Sequence, residues 1–248
     1  VSDSLIIIPT YNEKENIEKI IRKVFYLNFP FEILVIDDGS PDGTADIVKN
    51  LQKEFTGLHL EQRTGKLGLG TAYIHGFKWA LKYPYAFIFE MDADFSHNPE
   101  DLYALREACV NGADVAIGSR YVRGVNVVNW PMSRVLMSYF ASMYVRFITR
   151  IDIQDATAGF KCYKRLVLET IPMDKIKFVG YAFQIEMKFT ALKYGFNVVE
   201  VPIIFTDRTE GTSKMSTKIF REAFLGVIQM KMNSWFRKYD RNKKYDSK

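Results

Sequence analysis

A chain of 248 residues, 48% hydrophobic and 25% charged, can bury one sizeable core and fits a single α/β domain rather than a disordered or fibrous polypeptide. Its formal charge of +5 and pI near 9.0 are moderate, and much of the excess lies in 237–244, so an anionic partner or membrane surface fits better than nucleic acid. Two cysteines and three scattered histidines support neither a disulfide framework nor a zinc centre, which points to a reducing compartment.

Apolar runs and helical periods alternate from the start, the pattern of parallel strands joined by crossover helices. Residues 5–8 read as a buried strand. Asn12 is placed to cap a helix, with Glu15 as the capping-box partner and Ile17, Ile20, Ile21, Val24 and Phe25 as its buried face. Residues 32–36 give the next strand, which ends in the turn cluster Asp37-Asp38-Gly39-Ser40-Pro41-Asp42-Gly43 before a helix carrying Ile47, Val48 and Leu51. A third unit runs from the strand at 58–60 through Gly65-Lys66-Leu67-Gly68-Leu69-Gly70 into a helix ending near Lys82.

A fourth strand is predicted at 85–89, followed by a helix capped by Asn98 with Pro99 in its first position and Glu100 and Asp101 in its first turn. Another strand follows at 113–117. After Arg120 the character changes: 132–149 is a helix apolar almost all round, 182–194 a buried helix, 196–205 a strand whose Pro202 suggests an edge or bulge, and 216–237 a long amphipathic helix. No secretory pattern opens the chain, and no charge-free apolar run reaches the length of about 18 residues that a membrane span requires.

Ligands of doubly wound sheets sit beyond the carboxyl ends of the strands, and here those ends collect acids: Glu13, Asp37, Asp38, Asp92 and Asp94. Asp92-Ala93-Asp94 can aim two carboxylates at one hard divalent cation and leave positions open for a diphosphate. The glycine-rich run at 65–70 has the spacing of neither a dinucleotide fingerprint nor a P-loop, so it reads as a connector whose amides and Lys66 could still face an anion. The polar segment 207–214 supplies Arg208 and Lys214, cations able to fold over a leaving diphosphate.

Six motifs occur in order: Pro9-Thr10-Tyr11-Asn12-Glu13, Asp37-Asp38-Gly39-Ser40-Pro41-Asp42-Gly43-Thr44, Lys66 through Gly76, Met91-Asp92-Ala93-Asp94, Gly118-Ser119-Arg120-Tyr121 and Asp207 through Lys214. Together they resemble the family 2 glycosyltransferases of GT-A fold, and within them the dolichyl-phosphate (polyprenyl-phosphate) mannose synthase subgroup. The resemblance implies a Rossmann-like, mostly parallel sheet flanked by helices, with 1–215 as the catalytic domain. The apolar helix 132–149 is a candidate acceptor- or membrane-facing element and 216–237 an amphipathic C-terminal helix, each able instead to pack against the domain or a sister subunit; 238–248 is a basic tail.

It further implies GDP-mannose as donor, a polyprenyl or dolichyl monophosphate as acceptor, and Mg²⁺ or Mn²⁺ as cofactor. Pro9, Tyr11, Glu13, Ile36 and Asp38 would hold the nucleoside. Asp92, Ala93 and Asp94 would meet the diphosphate and metal, with Asp92 and Asp94 as metal ligands. Arg120, Arg208 and Lys214 would contact donor phosphates or sugar, and Arg134 the acceptor phosphate. The expected setting is the cytoplasmic face of a membrane, held by the chain's own helices or by a membrane-anchoring partner subunit.

Two departures bear on this. Ser96 stands where some relatives place a further metal-ligating Gln, and Ala158 where a small hydroxyl residue is usual, which leaves Asp155 open between acceptor-side catalysis and a structural role. Three alternatives remain beside the leading one. They are a glucosyl or other hexosyl transferase using a UDP-sugar, a nucleotidyltransferase (which would carry a basic glycine-rich signature after the first strand, absent here), and a catalytically inactive membrane-binding module.

Overall fold

The computed structural model describes residues 2–180, 182–207 and 217–241, the side chains of 217–223 excepted. Its central sheet is built from β1 (Ser4–Thr10), β2 (Glu32–Asp37), β3 (Leu58–Gln62), β4 (Phe87–Glu90), β5 (Val115–Ser119), β7 (Lys161–Lys164) and β8 (Val198–Pro202) in the order β3-β2-β1-β4-β7-β5-β8. All neighbours are parallel except β7, which runs against both β4 and β5. A two-residue β6 (Val127–Val128) pairs with β9 (Phe205–Thr206) in a small second sheet.

The two-residue period of β1 sorts its side chains into separate cores. Ile6 and Ile8 pack with Ile33 and Val35 under α1 (Ile17–Phe25), α2 (Thr44–Leu51) and α4 (Asp101–Val110). Leu5 and Ile7 pack with Leu34 and Ile36 under α3 (Leu69–Ala80), α6 (Arg165–Thr170) and α7 (Ala182–Lys193), a core that extends to α5 (Met132–Thr149) and α8 (Thr217–Phe236). Each fully buried Ile or Leu contributes roughly 1.5–3 kcal/mol of transfer free energy, so this double-sided burial holds the strand exits rigidly in place.

Two expectations are corrected, and one strand is additional to those expected. Asn12 does not cap α1: its φ is 56°, in the left-handed region, and the helix begins at Ile17 after a turn in which the amides of Asn16 and Ile17 donate to the Glu13 carbonyl. The 196–205 strand is two strands, because Pro202 ends β8 at the sheet's edge and the chain crosses to the second sheet. The antiparallel β7 went unanticipated, since Lys161-Cys162-Tyr163-Lys164 is short and begins and ends on lysine.

Candidate active site

An antiparallel strand enters a sheet at the edge where its parallel neighbours leave it. The segment 152–160 that leads into β7 therefore joins the exits of β1, β2, β4 and β5, and Glu13, Asp37, Asp38, Asp92 and Asp94 follow strands that leave the sheet at this one edge.

At the β2 exit, Asp37 accepts from the Thr10 hydroxyl (3.0 Å) and from the amide and hydroxyl of Ser40 (3.0 and 2.6 Å), so it serves the turn itself. Asp38 is buried and accepts from Arg63 Nε at 2.6 Å and from the Leu67 amide at 3.1 Å. Arg63 also reaches the Thr71 hydroxyl (2.9 Å), tying the glycine-rich loop to β2. Arg63 escaped the sequence reading; a lone arginine closing a strand beside a glycine-rich loop, opposite an acid on the neighbouring strand exit, was its only trace. Glu13 receives its position from the Thr44 hydroxyl, which accepts the Glu13 amide at 3.0 Å, and Lys66 Nζ lies 4.9 Å from the centre of the Tyr11 ring. Pro9 is in register with Ile36, whose side chain belongs to the core.

The β4 exit is strained. Phe95 has φ of 60°, a conformation a bulky residue adopts at a cost of order 1–3 kcal/mol, and this reversal brings the amide (3.1 Å) and hydroxyl (2.6 Å) of Ser96 onto Asp94 Oδ1. Asp94 and Ala93 are buried, whereas the Asp92 carboxylate is 40% exposed. His97 lies beneath them, stacked on Phe160 with ring centres 4.8 Å apart, and its Nδ1 accepts the Asp92 amide at 3.3 Å. That bond requires an unprotonated Nδ1, in accord with the burial that pushes His97 down to about 4.

Among the described residues no group of three or more His, Cys, Asp or Glu side chains is arranged to hold a metal. Two carboxylates, one of them open to solvent, nonetheless suit Mg²⁺ or Mn²⁺ bound jointly by protein and a substrate diphosphate, the usual mode for small hard cations. The donor set fits.

Arg120, at the β5 exit, is paired with Asp155: Nε and the backbone amide donate to Oδ2 (2.7 and 2.9 Å), Nη2 to Oδ1 (2.6 Å) and to the Thr157 hydroxyl (2.8 Å). Burial pushes the Asp155 carboxyl up, but the Arg120 guanidinium outweighs this and holds it below the usual range. The guanidinium lies 5.5 Å from the ring centres of both Trp130 and Phe205, and Arg134 stacks over the same Trp130 at 4.2 Å while its Nη1 donates to Asp207 at 2.7 Å. Arg208 and Lys214 lie outside the described residues.

Beneath the edge sit charges that no pattern announced. Lys161 is wholly buried, 3.1 Å from Glu90 Oε2, and donates to Gln184; the Tyr163 hydroxyl donates to Glu90 Oε1 at 2.9 Å. Lys188, equally buried, donates to the Ala158 carbonyl at 2.7 Å, and burial pushes both amines down. Tyr73 completes the floor, its hydroxyl pKa raised first by burial and then by the charges of Asp92, Glu90 and Asp94.

Residues 5–171 match the model of glycosyl transferase family 2. The chain belongs to this family. As a family 2 glycosyltransferase it is 48% identical over 227 residues to a polyprenol monophosphomannose synthase of Mycolicibacterium smegmatis, covering 91% of this chain and 86% of the relative. It is 44% identical to an undecaprenyl-phosphate mannosyltransferase of Micrococcus luteus (91% and 92% covered) and 38% identical to a dolichol-phosphate mannosyltransferase of Pyrococcus furiosus (91% and 62%).

The fold agrees with solved structures of low sequence identity. Glucosyl-3-phosphoglycerate synthase of Mycobacterium tuberculosis, in complex with Mn²⁺, UDP and glucosyl-3-phosphoglycerate, superposes with a TM-score of 0.66 at 15% identity, covering 98% of this chain and 81% of that one. A mannosyltransferase of Pyrobaculum calidifontis in complex with GDP-Man and Mn²⁺ gives 0.59 at 17% identity, covering 98% and 66%. The GT-A architecture expected of the sequence is thus the one found.

Proposed function

We propose that the protein transfers mannose from GDP-mannose to a polyprenyl (dolichyl-type) monophosphate, with inversion at the anomeric carbon. The observation that carries this reading is the 48% identity, over most of both chains, to a polyprenol monophosphomannose synthase.

The acceptor phosphate oxygen attacks the anomeric carbon while the GDP oxygen leaves from the opposite face, taking the bonding pair with it. A phosphate monoester is already anionic at neutral pH, so the step needs no strong general base. Rate then comes from aligning the two substrates and from neutralising the departing diphosphate. Asp92 and Asp94 are the residues that would hold Mg²⁺ or Mn²⁺, which supplies positive charge at the leaving group. Pro9, Tyr11, Glu13 and Asp38 would hold the nucleoside, the last held in place by Arg63, and Ile36, whose side chain is buried in the core, would meet it through its backbone alone. Arg120, locked against Asp155, contributes a fixed cation beside the β4 exit, and the sequence motifs add Arg208 and Lys214 to the donor phosphates.

Arg134 is the candidate for the acceptor phosphate, because it opens α5 and that helix exposes Met132, Leu136, Met137, Phe140, Met143 and Phe147. With α8, which exposes Phe224, Leu225, Ile228, Met232, Trp235 and Phe236, this surface suits a lipid interface. No helix among the described residues is long and apolar enough to cross a membrane. On the strength of these exposed apolar faces, we assign 1–215 to catalysis and 216–237, with the basic tail from 238, to peripheral attachment on the cytoplasmic face, with or without an anchoring partner subunit.

Product analysis tests the reading. With a polyprenyl phosphate acceptor, GDP-mannose is expected to give a mannosylated lipid and UDP-glucose none; glucosyl transfer alone would replace the donor assignment.

A further inference from the structure

The C-terminal end of α5 meets α8 in an open groove of about 660 Å³, lined by Arg146, Phe147, Ile148, Arg150, Lys231 and Trp235. Its size is that of a small-ligand cleft. Three of the six lining residues are cations. Lys231 Nζ donates to the Thr149 carbonyl at 3.1 Å and Arg146 Nη1 to Gln154 Oε1 at 2.7 Å, both uncharged partners. Among the described residues none of the three is ion-paired to a carboxylate. Asp152 lines an adjoining groove of about 460 Å³, together with Met143, Arg146, Phe147, Arg150 and Ile151.

Cations gather at helix C-termini to offset the macrodipole, but that dipole amounts to roughly half a negative charge. With the Asp152 carboxylate of the adjoining groove also counted, the three positive charges still leave a surplus of about one and a half. The surplus repels itself: after burial, the charges of Lys193 and Arg150 are what push the Lys231 amine down. The apolar lining is open to solvent, with Phe147 82% and Trp235 69% exposed. A concentrated positive charge between two exposed aromatic side chains calls for a ligand that is anionic at one end and apolar at the other.

We propose that this groove binds the phosphate headgroup of an anionic phospholipid, at a site apart from the one that takes the acceptor. Arg150 lies sixteen positions beyond Arg134 along α5, roughly 24 Å at helical rise, so one phosphate cannot touch both. The proposal rests on the reading that α5 and α8 face a membrane. Bilayer phospholipid, unlike the scarce acceptor, is always present there, and a headgroup held by Arg146, Arg150 and Lys231 would fix how α5 meets the surface and so how Arg134 is presented.

The test is flotation of the full chain with phosphatidylcholine vesicles, and with vesicles in which part of that lipid is replaced by phosphatidylglycerol at constant ionic strength. The variant Arg150→Asn/Lys231→Gln suits the backbone: Asn tolerates the left-handed conformation of Arg150 (φ 57°), and Gln keeps an N–H for the Thr149 carbonyl. At about 1 kcal/mol per cation, the double variant should lose about 30-fold of the anionic-lipid affinity while its binding to phosphatidylcholine stays unchanged. Should it not fold, Arg146→Gln should lose about fivefold.

Equal binding of wild type to both vesicles, or an undiminished anionic preference in a folded variant, overturns the groove assignment alone. No binding to either vesicle overturns the membrane reading with it. Release from anionic vesicles by inorganic phosphate at unchanged ionic strength would make free phosphate the ligand, and self-association abolished by the same substitutions would make it a second copy; either result overturns the lipid assignment.

Discussion

Arg120 and Asp155 form a bidentate ion pair with almost no access to solvent, Nε to Oδ2 at 2.7 Å and Nη2 to Oδ1 at 2.6 Å, linking the exit of β5 to the segment that leads into β7. The geometry explains why the sequence left Asp155 open between chemistry and structure. Its carboxylate is committed to holding a cation beside the β4 exit, and its own amide is held by Glu200 at 2.8 Å.

Breaking such a pair leaves a buried charge uncompensated. Asp155→Asn should therefore cost about 3–5 kcal/mol in denaturant unfolding, whereas Arg120→Met/Asp155→Leu should cost less than the single change because no lone charge remains. A loss below about 0.5 kcal/mol for Asp155→Asn would mean that the pair carries no stability.

His97 makes acid stability depend on pH in a defined window. Burial sets its folded pKa at about 4, below the unfolded value near 6.5, so between these limits the unfolded chain binds more protons and stability rises with pH. The contribution is complete above about pH 6.5 and lost as pH falls through 4, roughly 3 kcal/mol in all. In metal-free protein, His97→Asn, whose Oδ1 can still accept the Asp92 amide, should flatten the stability profile across this window. An identical slope in the variant contradicts the assignment.

The glycine-rich loop makes a contrast between two of its members. A Cβ on Gly70 would lie 2.7 Å from the Phe178 carbonyl oxygen and 2.9 Å from Phe183, whereas one on Gly65 meets nothing within 4 Å. Gly70→Ala should lower stability by about 1–3 kcal/mol and Gly65→Ala by less than about 0.5 kcal/mol, read from paired thermal or chemical unfolding. Equal effects would show that the loop's glycines are kept for something other than this close packing.

What the sequence disclosed follows physical periodicity. The apolar runs of β1 and β2 fix their place because burial rewards that pattern, whereas α5 was placed at 132–149 from its almost unbroken apolar composition although it buries only Ser142, Val145 and Thr149. Acids at strand exits were legible because parallel sheets collect ligands there. Lys161, Lys188 and Glu90 were not, since an isolated charge on a linear sequence reads as solvated, and only the fold supplies the partner that makes its burial tolerable. The same cause hid β7, whose register sets Lys161 opposite Glu90. Asn12 misled because a capping residue and a left-handed turn residue have the same composition.

The proposed transfer requires that Asp92 and Asp94 hold one divalent cation that receives the diphosphate of a nucleotide-activated mannose. Calorimetric titration with GDP-mannose, in Mn²⁺ or Mg²⁺ and again in chelator, measures it on wild type and on a folded Asp92→Asn/Asp94→Asn variant. Affinity at least about tenfold higher with metal is expected in the wild type, and no metal effect in the variant. Equal affinity with and without metal in the wild type, or an unaltered metal effect in the variant, would contradict it.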